Sequence, residues 1–255
     1  MTDLRMPLLF LGHGSPTNAV EQNAWTAQWR ALGEQLPRPK AILCLSAHFA
    51  GTGSHVVTVE APETIHDFYG FPQEMYRLNY PVPGSPQLAQ RVLELLPEAQ
   101  PTAEWGLDHG AWSVLMHLYP QADIPVVQLS LDLGLPADRQ MDIGRRLAPL
   151  RGEGVLLLGS GNVVHNLRRI SPGREPFPWA IDFDEAVTGL VTSGDFAGVQ
   201  RYMDLPGARD SVPTNEHFVP LLYILGAAQP GEKARAFCRD YVFASLSMTG
   251  FVLGE

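Results

Sequence analysis

Cysteine is nearly absent from this chain. Only Cys44 and Cys238 occur in 255 residues, and neither belongs to a CxxC pair. A disulfide scaffold is therefore excluded, Cys44 reads as a small buried apolar residue, and histidine and carboxylate are left as ligand types. Basic residues are also scarce. Eighteen Lys and Arg face 27 Asp and Glu, a net charge of −9, which argues against nucleic acid or an anionic membrane surface as partner. No apolar run approaches the roughly 18 residues of a membrane span. The run from Pro7 to Leu11 is too short for a signal-peptide core, so a cytoplasmic location is expected. The compact motifs HExxH, H-x-E…PCxxC and GxGxxG are missing, and Gly159-Ser160-Gly161-Asn162 is not GxSxG. There is no internal repeat and no low-complexity tract.

What is present is an ordinary globular composition, 45% hydrophobic and 18% charged, in a chain long enough for a substantial core. Short Leu- or Val-rich runs at 8–11, 41–46, 56–59, 125–131 and 155–158 read as buried strands. Between them, helical spacing of apolar residues runs over 23–35, 86–96, 111–119, 136–150 and 178–191. Residues 241–253 alternate and read as one closing strand or two. The alternation predicts a single α/β domain over residues 1–255, a three-layer α/β/α arrangement around a largely parallel or mixed sheet.

Four of the eight histidines stand at the ends of such elements. His13 (LFLGHGSP), His48 (ILCLSAHF) and His165 (LLLGSGNVVHNL) follow apolar runs, and His217 (PTNEHFVPLL) sits where Thr214 or Asn215 predicts a helix start, in its first turn. Carboxyl ends of parallel strands are where α/β sheets bind ligands, so one shared metal site at that end is the reading, open to Zn(II) or Fe(II) on ligand type alone. His109 (GLDHGAW) occupies a similar glycine-flanked loop, whereas His55 and His117 read as structural.

GHGSP, SAHF, DFYGFP at 67–72, DHGAW at 108–112, GSGNVVHNL and NEHFVPLL, in this order over nearly the whole chain, resemble the DOPA-type class III extradiol aromatic ring-opening dioxygenases, the bacterial 4,5-DOPA branch in particular. The resemblance implies opening of a catechol ring by O₂ at one divalent metal, Fe(II) for turnover with Zn(II) as the ion found bound. It also implies a semialdehyde acid as product. Carried over by motif, His13 and His48 are metal ligands. His217 stands where better-known class III enzymes have a glutamate, in preference to the adjacent Glu216. His165 is the acid–base residue, expected also to touch the metal when no substrate is bound, and His109 donates to substrate or oxygen.

The aromatic segment around Phe68 and Tyr69 reads as a wall beside the planar ring, with Tyr76 and Tyr223 as further pocket candidates. Which catechol is the natural substrate, DOPA or another, stays open, as does oligomeric state. Two other functions compete: a zinc hydrolase with His165 or Glu216 as base, and a non-catalytic protein using the same pocket for recognition.

Overall fold

The computed structural model describes residues 5–254. Its central sheet is built from the apolar runs. Strands β1 (Leu8–Gly12), β2 (Ala41–Ser46), β6 (Val126–Gln128), β8 (Val155–Gly161), β9 (Ala234–Phe237) and β12 (Gly250–Leu253) lie in the order β6-β2-β8-β1-β12-β9. The first four are mutually parallel, and β12 and β9 add an antiparallel edge. The sheet is thus mixed, with its parallel part in the middle.

Period-2 alternation decides which side chain enters which layer. Leu8, Phe10, Leu43, Leu45, Leu157 and Phe251 join one core cluster; Leu9, Leu11, Ile42, Cys44, Leu156 and Val252 join the other. Helices α1 (Ala24–Gln35) and α3 (His109–Leu118) cover the second face through Trp29 and Trp112. Helices α2 (Pro86–Leu95), α4 (Ala137–Leu147), α5 (Pro178–Ser193) and α8 (Val219–Gly226) cover the first. Short helices α6 (Phe196–Val199) and α7 (Ala208–Ser211) connect the last two. Among the described residues, no helix is long and apolar enough to cross a membrane.

Some expectations shift. The run at 125–131 divides: only β6 joins the main sheet, while β7 (Leu131–Asp132) pairs with β3 (Ala50–Gly51). The run at 56–59 becomes β4 (His55–Val57), laddered with β5 (Gln100–Thr102) outside the main sheet. The closing segment yields β10 (Tyr241–Val242), β11 (Leu246–Ser247) and β12. The helix expected over 136–150 ends at Leu147, because Pro149 cannot continue the α hydrogen-bond ladder and a 3-10 turn follows.

Helices α4 and α8 cross with no room for side chains at the contact. A Cβ on Gly144 would lie 1.9 Å from the Tyr223 carbonyl oxygen, and one on Gly226 2.0 Å from that of Met141. Alanine is intrinsically better than glycine in a helix by about 1 kcal/mol. Even so, Gly144→Ala is expected to lose roughly 1–3 kcal/mol net through forced separation, read as a lower urea midpoint. An unchanged or higher midpoint would show that the two helices are free to part.

Candidate active site

The carboxyl ends of β1, β2 and β8 meet at one end of the sheet, and each delivers a segment into the same cavity of about 410 Å³. His13 follows β1 directly, its N–H donating to the Gly161 carbonyl at 2.9 Å. His48 lies two residues beyond β2, where the Ala47 N–H donates to the Ser160 carbonyl at 2.9 Å. His217 is in the turn before α8, and its carbonyl accepts from the Asn162 N–H at 2.9 Å. Gly161 makes this approach possible, since a Cβ there would stand 2.1 Å from the His217 carbonyl oxygen. The tetrapeptide Gly159–Asn162 therefore touches all three histidine segments.

The rings of His13, His48 and His217 form a near-equilateral triangle, with centroids 5.1, 5.2 and 5.1 Å apart. Their ligand atoms all lie within 4.8 Å of one another. Hydrogen bonding fixes which nitrogen faces inward. Ser160 Oγ donates to the Gly110 carbonyl, so toward His13 Nδ1, 3.0 Å away, it accepts. His13 consequently carries its proton on Nδ1 and a bare lone pair on Nε2. His217 Nδ1 donates to Glu216 Oε1 at 3.1 Å, and His48 Nδ1 lies 3.2 Å from Asp67 Oδ2.

Burial, reinforced by the neighbouring histidines, holds His13 and His217 well below the ordinary imidazole value. Burial and then His109 push His48 down to about 4, against the opposing pull of Asp108, Asp67 and Glu216. The Nε2 atoms of His13 and His48 face each other at 3.2 Å, and with the proton of each neutral ring on Nδ1, toward Ser160 and Asp67, none lies between them. Two facing lone pairs repel unless a cation lies between. The donor set fits one divalent ion, with an oxygen partner orienting each imidazole from behind.

His109 and His165 flank this triangle. His109 opens α3, capped by Asp108, whose fully buried carboxylate accepts from the Ala111 N–H at 3.1 Å, Ser46 Oγ at 2.6 Å and Gln128 Nε2 at 2.7 Å. That carboxylate ties the ends of β2 and β6 to the helix start. The His109 ring sits 3.8 Å from that of His48, the His109 backbone N–H donates to Asp67 Oδ1 at 2.9 Å, and the ring Nδ1 lies 3.0 Å from Asp67 Oδ2. The last contact is off the axis of a hydrogen bond, leaving Nδ1 without an aligned partner. Burial alone would raise the Asp67 carboxyl, but the pull of His109 and His48 holds it below the usual carboxylate range.

His165 stacks flat on His217, 3.4 Å between centroids at 7°. Its potential ligand atom groups with Glu216 and His217, not with His13 and His48. The stack sets the His165 ring beside the triangle of His13, His48 and His217 and not within it. Burial pushes His165 down to about 4, partly opposed by Glu216. His217 lies in a helical turn as expected: α8 is counted from Val219, but the Val219 N–H already donates to the Asn215 carbonyl at 3.0 Å, so the turn opens at Asn215. Glu216 then faces His217 Nδ1 from behind.

Phe68 and Tyr69 line the cavity, Phe68 edge-on to His109 at 5.5 Å. Tyr76 backs Phe68 at 5.2 Å and is not part of the lining. Tyr223 is corrected. It is fully buried in α8, its hydroxyl accepts from the Asp132 N–H at 3.2 Å, and it lies in the core under the sheet, away from the cavity. Asp67 and Ser160 were given no part in the site by sequence. The only signals were the aspartate opening DFYGFP and the serine of GSGN. His117 is structural as expected, bonded to the Asn18 carbonyl at 2.7 Å and to Arg30 at 2.9 Å.

Residues 7–251 match the family described as the catalytic LigB subunit of aromatic ring-opening dioxygenase. The chain is 47% identical over 262 aligned residues to the 4,5-DOPA dioxygenase extradiol of Escherichia coli K12, covering 100% of this chain and 97% of the relative. It is 38% identical over 238 residues to the Beta vulgaris protein of the same name, covering 88% of each. A crystal structure of an uncharacterized protein from Escherichia coli K12 superposes with a TM-score of 0.86 at 44% identity, over 98% of this chain and 100% of that one.

Proposed function

Since this chain belongs to the LigB family of aromatic ring-opening dioxygenases and is an extradiol ring-cleaving enzyme, we propose that His13, His48 and His217 hold one divalent metal at which a catechol is opened by O₂ to a semialdehyde acid. The observation that carries the ligand set is the trio of inward-facing imidazoles, each backed by an oxygen: Ser160, Asp67 and Glu216. Neutral imidazole suits Fe(II), the ion proposed for turnover, and Zn(II), the ion proposed to be retained on isolation. When bound, the ion acidifies the catechol hydroxyls and brings ring and oxygen together.

The remaining work falls to the chain. His165, neutral at pH 7 and exposed on one side to the cavity, takes a hydroxyl proton and returns it to the opening ring. Its stack on His217 holds its ring beside the ligand triangle. His109, oriented by Asp67, donates to the oxygen that becomes negative. Phe68 and Phe71 exclude water from the ring face. DOPA, the compound in the names of the relatives, is one catechol that such a site would accept.

The test is oxygen uptake by anaerobically Fe(II)-loaded protein with a panel of catechols, followed in parallel by the yellow absorbance of the product. His165→Ala is expected to lower kcat by about 10²–10⁴-fold with metal content unchanged. No uptake with any catechol would sink the proposal, and full activity in the variant would remove His165 from it.

A further inference from the structure

The mouth of this cavity is apolar in a way that the reaction itself does not require. Among the described residues six large hydrophobic side chains are exposed, and four of them, Tyr69, Leu167, Ile170 and Phe243, ring this one opening. Their exposures are 92%, 57%, 43% and 40%. Four together at a ligand cavity form a patch that calls for an occupant. Leu246, 2% exposed, continues the apolar surface inward toward His165, with which it forms an isolated β-bridge.

The backbone at the rim is held in an unfavourable shape. Phe243 and Ala244 are consecutive non-glycine residues at φ 54° and 64°. Such left-handed pairs persist only where surrounding bonds enforce them, and they gather at ligand clamps. Here the enforcing bonds come from the segment 166–177. Ser171 N–H donates to the Phe243 carbonyl at 2.9 Å, Phe177 N–H donates to the Ala244 carbonyl at 3.0 Å, and the Ser245 hydroxyl donates to the Asn166 carbonyl at 3.0 Å. The Leu167–Ile170 turn and the Phe243 turn are thereby fastened as one rim.

Charge is the other half of the observation. Among the described residues no Lys, Arg or Glu lines the cavity, and the only carboxylate, Asp67, is committed to His48 and His109. Arg168 and Arg169 lie between Leu167 and Ile170 in sequence but are not among the lining residues. The Arg169 guanidinium sits 5.2 Å over the Phe177 ring. An ammonium or carboxylate seated against these side chains would find no free charged partner among the lining residues.

We propose that the preferred substrate is a catechol carrying an uncharged, apolar chain at ring position 4, seated against Leu167, Ile170 and Phe243, and that a zwitterionic side chain such as that of DOPA is disfavoured. The inference rests on the dioxygenase reading above and narrows its substrate.

Two measurements separate the two levels. Binding of 4-methyl-, 4-ethyl-, 4-propyl- and 4-butylcatechol and of L-DOPA is titrated calorimetrically on Zn(II)-loaded protein without oxygen. kcat/KM is then measured for the same compounds on Fe(II)-loaded protein by oxygen uptake. Affinity and kcat/KM are expected to rise about fourfold per added methylene, with L-DOPA at least about tenfold below 4-propylcatechol. In a Leu167→Ser/Ile170→Ser variant the chain-length slope should flatten. A flat slope in the native chain overturns the inference and returns the patch to another role, such as contact with a second copy. L-DOPA preferred, with that preference lost in Arg168→Ala, also overturns it. Absence of oxygen uptake with every compound would defeat the dioxygenase reading alone, because the binding slope decides the rim independently.

Discussion

A His13→Ala chain is expected to fold, to lose its divalent ion on dialysis, and to consume catechol with O₂ at a kcat/KM lower by more than about 10³-fold, the scale of several kcal/mol of Lewis-acid assistance. The fold survives because the histidine lies beyond β1, whose register with β8 and β12 is set by residues 8–12. Removing the ring also removes one of the two facing Nε2 atoms. Metal analysis after dialysis, oxygen uptake and a thermal melt check the three parts together. Ser160→Ala provides the graded control: it removes the acceptor for His13 Nδ1 but no ligand atom, so metal affinity should fall by about 10–100-fold. One metal per chain retained in His13→Ala, with native turnover, would break the three-histidine assignment.

The second large effect concerns stability. Arg151 is fully buried, and its guanidinium makes four hydrogen bonds. Nε donates to the Met6 carbonyl at 2.8 Å and Nη1 to the Ala227 carbonyl at 3.2 Å. Nη1 and Nη2 also grip the Glu232 carboxylate at 2.8 and 2.6 Å. Glu232 further accepts from the Gln229 N–H at 2.8 Å. The pair clamps the chain entering β1 to the end of α8. Glu232→Gln leaves a buried cation short of its counter-charge and is expected to cost about 3–5 kcal/mol, a fall in Tm of roughly 10 °C for a chain of this size. The double replacement Arg151→Met/Glu232→Leu should cost less than the single one, since no buried charge is stranded. A single variant that melts with the native protein would refute the clamp.

The same carboxyl sets a pH dependence. Burial alone would raise Glu232, but the Arg151 bonds outweigh it and hold the folded value below 4.5. A carboxyl depressed on folding contributes stability that is full above its unfolded value and is lost as pH falls through the folded one. Glu232→Gln should therefore flatten the acid limb of the stability curve as well as lower its plateau. An acid limb as steep as the native one would place that dependence on other carboxyls.

His13, His48 and His165 were legible because each follows a short apolar run, and parallel strands buried on both faces advertise themselves as such runs. Their carboxyl ends then lie at one end of the sheet, which brings His13 and His48 together without further information. Asp67 was not legible. It lies in a segment, residues 58–85, with little periodic patterning, and only the folded chain carries it to His48 and His109. Tyr223 was misplaced for the opposite reason. The sequence VPLLYILG of α8 is apolar on every side and wholly buried, so periodicity assigns no face to the tyrosine. His165 and His217 were expected to converge with the others, but the flat stack between them depends on two turns that no pattern encodes. The edge strand β9, with the sequence ARAF, is too short and too mixed to stand out.

One four-residue stretch, Gly159–Asn162, receives hydrogen bonds from or donates them to the segments of all three inward-facing histidines. The floor of the cavity is accordingly inherited as a unit: a shift of this stretch moves the backbone partners of three separated segments together, and compensating it takes simultaneous changes on all three. The rim is assembled otherwise, from Tyr69, the Leu167–Ile170 turn and Phe243, none of which bonds to that stretch through its side chain. A lineage of such enzymes can therefore exchange the mouth one residue at a time, and so change which ring it admits, while the chemistry beneath stays in place.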